Sequence, residues 1–513
     1  MKNSCSKEKL NSLKKSFLVT ISVLTLLNCS VNVRQNQITD PPNFIFVLTD
    51  DQTVNTIRAL GNYDINTPNI DRLTKEGTSF THVFNQGSWS GAVCAPSRKM
   101  INTGRHLHRT GYGPKTAKND QFRSKMMGEI LQEEGYETFI TGKWHIDEES
   151  LRRSFSMGKS IFMPVRTGMS FEERGGQYSP LVADYDGNDQ NPQNFQQRRE
   201  MKLSSELFAD AAIGYLESKE RRNSKPFFIY LSFLTPHDPR QAPPEFINMY
   251  PPENIPIPPN MLPEHPFDEG DHNIRDEVLL AFPRTESSIK WYIAQYYAVI
   301  SHLDAQVGRL LDALDTTGFR DNTYIIFTSD NGIANGQHGL LGKQNQYDHS
   351  VRVPFIITGP DIKRGEKKTG MFYIHSVLPT VLDLADVEIP STVDSKSILP
   401  LLRGEKNTVH NAIYGSYKHF QRMVRTETHK LIYYPMLEKY QLFDLQVDPH
   451  EINDISKNPE NFDIKSTLIS ELEQLKTLVG DPLKNDQPEE SYAHYAEKYK
   501  HFATHPRRSI NKE

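Results

Sequence analysis

The sequence predicts an α/β fold in which a large, mostly parallel sheet is flanked by helices. Four apolar runs support this prediction, because each is continuously hydrophobic rather than alternating and each ends in a cluster of polar residues. Continuous runs rich in Ile, Phe and Val are typical of strands buried on both faces of a parallel sheet. Helical patterns such as "SKMMGEILQEEG" and "YYAVISHLDAQVGRLLDALDTTG" lie between the runs.

Polar residues follow all four predicted strands directly. In chain order the runs are "NFIFVL" before Thr49-Asp50-Asp51, "YETFI" before 141–145, "PFFIYLSFL" before 235–238 and "TYIIFT" before 329–332. Ligands of open α/β sheets bind beyond the carboxyl ends of the strands, so we expect these clusters to meet at one edge. Strand-end capping and turn formation are the alternative for any cluster taken singly.

The N-terminus predicts export. A lysine-rich stretch precedes the short apolar run "FLVTISVLTLL", which indicates a signal peptide over 1–29 rather than a membrane-spanning helix. "LLNC" resembles a bacterial lipobox, which implies lipidation of Cys29 and a periplasmic or cell-surface lipoprotein. Asn28 stands where that motif prefers a small residue, so a soluble exported form is the alternative, and a buried core helix is another. The polar residues 30–41 are the predicted linker.

The remaining chain is long enough for two domains, which we predict over 42–402 and 403–513. In the smaller one, "AIYGSY", "RMVRT", "KLIYYP" and "YQLFDL" predict a short antiparallel sheet, with a helix at the end.

Charge limits the partners of the chain. The formal net charge is −5 over 513 residues, and loss of the signal segment, with five lysines and one glutamate, leaves about −9. A chain this acidic is not a general nucleic-acid binder. An anionic substrate would need a locally basic pocket.

Four residues after the first and last strands carry only oxygen donors: Asp50, Asp51, Asp330 and Asn331. Such donors suit Ca²⁺ or Mg²⁺ and not a thiophilic metal. The same residue pairs also form good turns, which is the alternative.

Cys94 is left without an intrachain disulfide partner once the signal is cleaved and Cys29 is lipidated. Pro96 predicts that a helix starts here, which places Cys94 and Arg98 at a helix N-terminus that favours an anion. A buried structural cysteine is the alternative. Four further cationic or proton-transfer side chains complete a predicted pocket for a tetrahedral oxyanion: Lys143, His145, His237 and Lys343.

The segment "CAPSR", followed by "TGR" at 103–105, resembles the signature of the type I, formylglycine-dependent sulfatases. The other segments similar to this family are "FVLTDDQ", "TPNIDRLTKEGTSFTHVF", "TGKWH", "TPHDP", "TSDNG", "GKQNQYDHSVRVPFII" and the C-terminal "YQLFDLQVDPHEINDI". Asn102 stands where an apolar residue is common and Asp348 where glutamate is common, and neither departure removes a catalytic group.

This resemblance implies an alkaline phosphatase-like sandwich and a sulfuric ester hydrolase. It implies that a separate maturation enzyme oxidises Cys94 to 3-oxoalanine, which is called formylglycine. It also implies one Ca²⁺ ion, with Mg²⁺ as the alternative. The implied ligands are an oxygen of the modified residue 94, Asp50, Asp51, Asp330 and Asn331.

The remaining roles follow from the same resemblance. Arg98 and the ion would orient the hydrated aldehyde, whose oxygen would attack sulfur and give a sulfated enzyme. Lys143 and Lys343 would bind the sulfate oxygens. His237 would contact the substrate and protonate the departing sugar alkoxide, while His145 would act on the second hydroxyl. The reverse assignment of the two histidines is the alternative.

The expected substrate is a sulfated extracellular polysaccharide or its oligosaccharides. Two long polar insertions, 155–190 and 240–272, are interpreted as irregular binding rims, with plain surface loops as the alternative. The side chains considered for polyanion or sugar contacts are Arg152, Arg153, Arg166, Arg174, Trp89 and Trp144.

Two other functions stay open at this point. A formylglycine-dependent phosphate or phosphonate monoester hydrolase would bind an oxyanion of similar shape. A surface glycan-binding protein without catalysis is the second, although no motif cysteine or metal-binding acid is missing. We expect membrane association only through a lipid at Cys29, and no nucleic-acid partner.

Overall fold

A computed structural model describes residues 40–111, 124–162, 175–187, 196–218, 225–270 and 274–482. Its larger sheet has the strand order β11-β2-β10-β9-β1-β8-β4-β5-β6-β7, with β12 also paired to β2. These strands are β1 Asn43–Asp50, β2 Thr78–Phe84, β4 Glu137–Lys143, β5 Met157–Phe162, β6 Leu181–Asp186, β7 Gln196–Arg199, β8 Phe227–Pro236, β9 Thr323–Ser329, β10 Arg352–Thr358, β11 Glu366–Lys368 and β12 Phe372–Tyr373.

The centre of this sheet is parallel, from β9 through β1, β8 and β4 to β5. Toward the margins, β10 and β6 pair antiparallel with their inner neighbours. All eight residues of β1 and all ten of β8 are buried. The predicted α/β class with a mostly parallel sheet is therefore confirmed.

Helices cover both faces of the sheet. They are α1 Pro68–Glu76, α2 Cys94–Thr103, α3 Met127–Glu133, α4 Glu148–Ser154, α5 Ser204–Glu217, α6 Pro244–Ile247, α7 Glu286–Thr317, α8 Asp348–Val351, α9 Val377–Leu384, α10 Leu399–Arg403 and α11 Phe462–Val479. In β1, Phe44 and Phe46 pack into the core shared with α2, α3 and α9. Ile45 and Val47 pack into the core shared with α1, α5 and α7. Burial on both faces explains why the strand is continuously apolar.

The segment 155–190 differs from its interpretation as an irregular insertion. Its described part contains β5 and β6, which extend the large sheet. Met157 to Phe162 carries apolar side chains on both sides of a short polar stretch, and its Ile161 and Phe162 enter the two cores. Tertiary pairing thus overrides the polar composition of this segment. The insertion 240–272 contains α6 and packs against α7.

The smaller sheet has the order β16-β15-β14-β13-β3. Its strands are β3 Gly87–Ser88, β13 Ala412–Tyr417, β14 Gln421–Thr426, β15 His429–Tyr434 and β16 Lys439–Asp444. Four of them form the predicted antiparallel meander, and α11 packs on it. The fifth, β3, was not predicted; it precedes Cys94 by only six residues and pairs in parallel with β13.

The described residues from Pro42 onward form one compact unit. The predicted signal peptide, Cys29 and residues 30–39 of the linker lie outside the described residues, as do Arg166 and Arg174. Within the described ranges, no helix is both long enough and apolar enough to cross a membrane.

Candidate active site

The four polar clusters meet at the carboxyl edge of the large sheet. The strands β9, β1, β8 and β4 are direct neighbours in that order and run parallel. Their ends therefore bring Asp330, Asp50, His237 and Lys143 together. The prediction that these residues share one edge is confirmed.

The turn after β1 is held in a specific backbone conformation. Asp51 has a φ of 72°, which is unusual for a residue other than glycine. The Tyr296 hydroxyl donates to the Asp51 carbonyl at 2.5 Å and accepts from the Thr53 N–H at 3.1 Å. This buried tyrosine stabilises the backbone turn after β1, which places the carboxylates of both Asp50 and Asp51 in the site.

Cys94 is the first residue of α2, as the sequence predicted. Its thiol is buried, with Sγ 3.1 Å from Asp50 Oδ1, 3.8 Å from Asp51 Oδ1 and 3.0 Å from Lys343 Nζ. Burial raises the pKa of the Cys94 thiol well above its usual value, and the charges of Asp330 and Asp50 add to this. Because the thiolate is the reactive form, an unmodified Cys94 is a poor nucleophile.

Arg98 lies one helical turn further on and ties three strands together. Its Nε donates to Asp330 Oδ2 at 2.9 Å, and its Nη1 donates to the Lys143 carbonyl and to Ser232 Oγ, both at 2.6 Å. Nη2 lies 3.7 Å from Asp50 Oδ2. The guanidinium is fully buried, so its orientation is fixed by these contacts.

The donor set around Cys94 fits a hard divalent cation. Ligand atoms of Asp50, Asp51, Cys94 and Asp330 all lie within 4.8 Å of one another, and all four residues are buried. Asn331 Nδ2 donates to Asp51 Oδ1 at 2.5 Å, while the buried Asn331 Oδ1 has no hydrogen-bond partner among the described residues. Three carboxylates and one amide oxygen are hard donors of the kind that Ca²⁺ and Mg²⁺ prefer.

Two buried lysines contact the same carboxylates. Lys343 Nζ donates to Asp51 Oδ1 at 2.6 Å and to Oδ2 at 2.7 Å, and Lys143 pairs with Asp50 Oδ2. Burial acts to lower the pKa of Lys343, but the charges of Asp51 and the other neighbouring acids together outweigh burial and hold this pKa well above its usual value. Lys343 is therefore an ammonium ion despite its burial.

The carboxylates differ in how easily they ionise. Burial acts to raise the pKa of Asp50, but the charges of Lys143 and His237 hold this pKa well below its usual value. Burial, followed by the charge of Asp50, raises the pKa of Asp330 to about 6. Neighbouring acids thus oppose the ionisation of Asp330, and a bound cation would relieve this repulsion.

The two histidines occupy different environments. The His237 side chain is 13% exposed, with Nε2 3.8 Å from Asp51 Oδ2 and Nδ1 3.3 Å from Asp238 Oδ1. His145 is also half-buried and has a φ of 57°. Burial, together with the charge of Lys143, lowers the pKa of His145 well below its usual value, so this imidazole is neutral. His237 is therefore the histidine whose contacts with Asp51 and Asp238 join it to the carboxylate cluster.

Several rim residues lie elsewhere than expected. Trp144 is fully buried, with its ring against Phe155 and Tyr230, so it does not stack on a sugar. Trp89 is half-buried, and the Arg422 guanidinium lies 5.4 Å from its ring centre. The ion pairs of the two arginines on α4 are Arg152 with Glu148 and Arg153 with Glu129.

The sequence reasoning missed three features of the site. Ser232 accepts a hydrogen bond from Arg98, and its position as a lone polar residue in the apolar run of β8 could have indicated a role in the site. Tyr296 gave no signal, because it lies within a regular helical pattern. No sequence pattern indicated the turn Arg275–Val278 either, because its contacts with the loop before Lys343 join residues more than 60 positions apart.

Comparison with known proteins agrees with this geometry. The family profile described as "Sulfatase" matches residues 42–387, and the profile "N-sulphoglucosamine sulphohydrolase, C-terminal" matches 336–478. An N-acetylglucosamine-6-O-sulfatase of Bacteroides thetaiotaomicron is 27% identical, and the match covers 91% of each chain. An ulvan-active sulfatase of Formosa agariphila is also 27% identical over 90% of this chain and 86% of its own.

A solved structure shows the same architecture. It holds a protein in complex with its substrate D-glucosamine-2-N,6-O-disulfate, with 26% identity, a TM-score of 0.71, and coverage of 88% of this chain and 100% of that one. The alkaline phosphatase-like fold predicted from the resemblance is therefore confirmed. The chain belongs to the sulfatase family and is a sulfuric ester hydrolase.

Proposed function

We propose that this enzyme removes sulfate from a sulfated carbohydrate by means of a formylglycine made from Cys94. One observation carries the proposal. Cys94 Sγ lies 3.1 Å from Asp50 Oδ1 and 3.0 Å from Lys343 Nζ, within the buried oxygen-donor cluster, yet its thiol is held in an unreactive form. We therefore infer that Cys94 is the precursor of the nucleophile, formylglycine, and that its thiol does not itself attack the substrate.

Residues of the chain itself would hold the cofactors. Asp50, Asp51, Asp330 and Asn331, with an oxygen of the modified residue 94, would hold one Ca²⁺ ion. Formylglycine, as its hydrate, would supply an oxygen nucleophile, and the ion would lower the pKa of that hydroxyl. Arg98 would fix the orientation of the hydroxyls through its buried contacts with Asp330 and Ser232.

Lys143 and Lys343 would bind the sulfate oxygens. Both ammonium groups now contact carboxylates that the cation would also contact. With a cation held by these carboxylates, Lys143 and Lys343 would donate to the sulfate oxygens and stabilise the charge that gathers in the transition state. This placement fits the locally basic pocket that an anionic substrate needs in an otherwise acidic chain.

The histidines would move protons at opposite ends of the reaction. His237 Nε2 faces the site while Nδ1 is held by Asp238, so Nε2 is the atom that would protonate the departing sugar oxygen. His145 is neutral, so it could accept a proton from the second hydroxyl at position 94. This deprotonation would let sulfate leave and restore the aldehyde.

The relatives support a glycan as the substrate. One is named an N-acetylglucosamine-6-O-sulfatase, another an ulvan-active sulfatase, and the structural relative binds a disulfated glucosamine. We therefore propose a sulfated sugar, with N-acetyl-D-glucosamine 6-sulfate as the first compound to assay. We also propose that the protein is exported, is anchored only through a lipid at Cys29, and depends on a maturation enzyme.

The decisive experiment has two stages. The chain is co-expressed with a formylglycine-generating enzyme, and the peptide that carries residue 94 is weighed to verify the conversion. Sulfate release is then measured from a panel of sulfated mono- and oligosaccharides. Release from at least one sugar supports the proposal, whereas a converted enzyme that cleaves only small aryl sulfates contradicts it.

A matched pair of esters separates the phosphate or phosphonate hydrolase from the sulfatase. Sulfate and phosphate esters of the same alcohol would be compared by kcat/KM, and a preference for phosphate would contradict our proposal. A glycan-binding protein without catalysis would bind the sulfated sugar and leave it intact even after conversion of Cys94.

A further inference from the structure

The turn Arg275–Val278 lies against the loop that carries Lys343. Both Glu277 carboxylate oxygens accept the Leu341 N–H, at 3.0 and 3.1 Å, and Oε1 accepts the Gly342 N–H at 2.6 Å. Glu277 and its partner Arg284 are both buried. One carboxylate therefore fixes the two residues that directly precede Lys343.

Arg284 joins the turn to the start of the same loop. It donates to Glu277 Oε2 at 2.7 Å, to the Glu277 carbonyl at 2.8 Å, and to the Gly339 carbonyl. Backbone groups on both sides of Leu341 are thus held by one buried ion pair. A buried pair with this many backbone contacts fixes geometry more than it adds stability.

A second arm of the turn holds the residue after Lys343. Gln344 Nε2 donates to Asp276 Oδ2 at 2.7 Å and to the Gly91 carbonyl at 3.0 Å. Gly91 belongs to the segment that leads to Cys94. Asp276 therefore links the Lys343 loop to the backbone that precedes position 94.

The third arm reaches the other side of the site. Arg275 Nη2 lies 2.9 Å from Asp238 Oδ1 and 2.7 Å from Asp276 Oδ1. Asp238 in turn contacts His237 Nδ1, through its carbonyl at 2.8 Å and its carboxylate at 3.3 Å. Arg275 thus connects the turn to the imidazole on the opposite strand end.

We propose that residues 275–277 are positioning residues for both Lys343 and His237. Glu277 holds the loop that carries Lys343, and Arg275 holds Asp238, which contacts His237. This inference rests on the proposed roles of Lys343 and His237. The turn thus has two separate roles. Glu277 positions Lys343, which binds sulfate, and Arg275 positions His237, which protonates the leaving oxygen.

The two duties can be separated with two substrates in the converted enzyme. 4-Nitrophenyl sulfate has a leaving group that needs little protonation, whereas a sugar sulfate needs a full acid. Glu277→Gln removes one acceptor beside two backbone donors, so we expect kcat to fall about tenfold to a hundredfold on both esters. Arg275→Gln releases Asp238, which contacts His237, while the contacts of Glu277 with the Lys343 loop stay in place. The ratio of kcat on N-acetylglucosamine 6-sulfate to kcat on the aryl ester should therefore fall about tenfold.

Glu286→Gln is the matched control, because Glu286 lies exposed nearby at the start of α7. It should leave both rates unchanged. Thermal unfolding of each variant shows whether it is folded at the assay temperature, so that the rates can be compared per folded enzyme. Loss of folded protein lowers both rates equally and cannot produce the change of ratio expected for Arg275→Gln. Wild-type rates in Glu277→Gln, or an unchanged ratio in Arg275→Gln, would overturn the proposal.

A crystal structure of Glu277→Gln tests the inference without any assay. Lys343 Nζ should no longer lie within hydrogen-bond distance of both Asp51 oxygens, which it contacts at 2.6 and 2.7 Å in the native chain. If wild type cleaves no sulfate ester but this displacement is seen, the proposed function fails and the positioning role stands. An unmoved Lys343 contradicts the positioning role in either case.

Discussion

Two buried charge clusters of this protein use the same residue types for different purposes. The active-site cluster consists of Asp50, Asp51, Asp330, Arg98, Lys143 and Lys343. The joint cluster, between the smaller sheet and the Lys343 loop, consists of Asp348, Glu451, Lys430, Arg425 and Arg352. Both hold carboxylates against lysine and arginine, so residue type alone does not distinguish a catalytic cluster from a structural one.

The difference lies in what each charged group contacts. In the joint cluster, Lys430 Nζ is 2.5 Å from Asp348 Oδ1 and from Glu451 Oε1, and the Asp348 N–H donates to Glu451 Oε2 at 2.8 Å. These contacts join separate segments of the chain. In the active-site cluster, the ammonium groups of Lys143 and Lys343 contact oxygens that a cation would take. We therefore expect changes in the joint cluster to reduce stability and changes in the active-site cluster to reduce turnover.

The largest expected effect comes from Cys94→Ser. Turnover should fall at least about a thousandfold, because a sulfate ester on serine lacks the second hydroxyl through which sulfate is expelled. The free energy of unfolding should change by less than about 1 kcal/mol, since the hydroxyl replaces a thiol of similar size. Steady-state kinetics and calorimetry measure both. Full multiple-turnover activity in this variant would contradict the formylglycine mechanism.

Next in size is Lys430→Met in the joint cluster. It leaves Asp348 and Glu451 buried with fewer compensating charges, so the free energy of unfolding should fall by about 3–5 kcal/mol. Denaturant titration measures this loss. The converted protein that remains folded should keep a kcat within about threefold of wild type, since Lys430 contacts none of the active-site cluster.

Lys343→Met is the matched variant in the active-site cluster. Its kcat should fall about a hundredfold to a thousandfold in the presence of Ca²⁺, because one donor to the transition-state oxygens is lost. Its stability in Ca²⁺ should change less than that of Lys430→Met. The comparison fails if Lys430→Met lowers kcat more than Lys343→Met, or if Lys343→Met is the less stable of the two.

The sequence was sufficient to locate the active-site cluster but not the joint cluster. Each strand is recognisable in the local sequence as a continuous apolar run. Because the strands are parallel, the residues that follow them lie at one edge of the sheet. Asp348 was noted only as a departure from the usual glutamate, although it pairs with Lys430, Arg425 and Arg352. Those partners lie in two different sheets, and no local pattern encodes such pairing.

Short elements were missed for the same reason. The strand β3 is two residues long and pairs with β13 across more than 320 positions. The turn Arg275–Val278 acts through hydrogen bonds to a loop that is distant in sequence. Trp144 follows a predicted strand, as exposed site residues also do, and only packing against Phe155 and Tyr230 shows that it belongs to the core. Long-range contacts, and not composition, decide these cases.

Calcium should stabilise the enzyme through the active-site cluster alone. An ion that binds only the folded state at a hundredfold excess over its Kd adds about 2.7 kcal/mol to the free energy of unfolding. Thermal unfolding with and without Ca²⁺ after chelation measures this gain. Asp330→Asn should lose most of it, whereas Lys430→Met should keep it. A gain that is equal in Asp330→Asn and wild type would place the ion elsewhere.

The smallest expected effect is a pH dependence in the smaller sheet. Asp481 contacts Arg422 Nε at 2.5 Å and lies near His108. Burial acts to raise the pKa of Asp481, but the charges of Arg422 and His108 lower this pKa below its usual 3.8. A lowered pKa in the folded state stabilises the fold above the unfolded value, and this contribution is lost as the pH falls through the folded pKa.

Asp481→Asn should therefore lower the free energy of unfolding by about 1–3 kcal/mol at pH 7, where the carboxylate is ionised. The difference between wild type and variant should begin to shrink as the pH falls below about 4, because the unfolded wild-type chain then binds a proton that the folded carboxylate binds only at lower pH. Denaturant titrations from pH 3 to pH 7 measure this, with the exposed Glu286→Gln as the control for removing one carboxylate. Since the active-site cluster is present in both proteins, its own titration cancels in the difference. A difference that stays constant over this range would show that Asp481 stabilises the protein through packing rather than charge. The contact of Asp481 with Arg422 would then differ from the active-site cluster, whose function depends on charge.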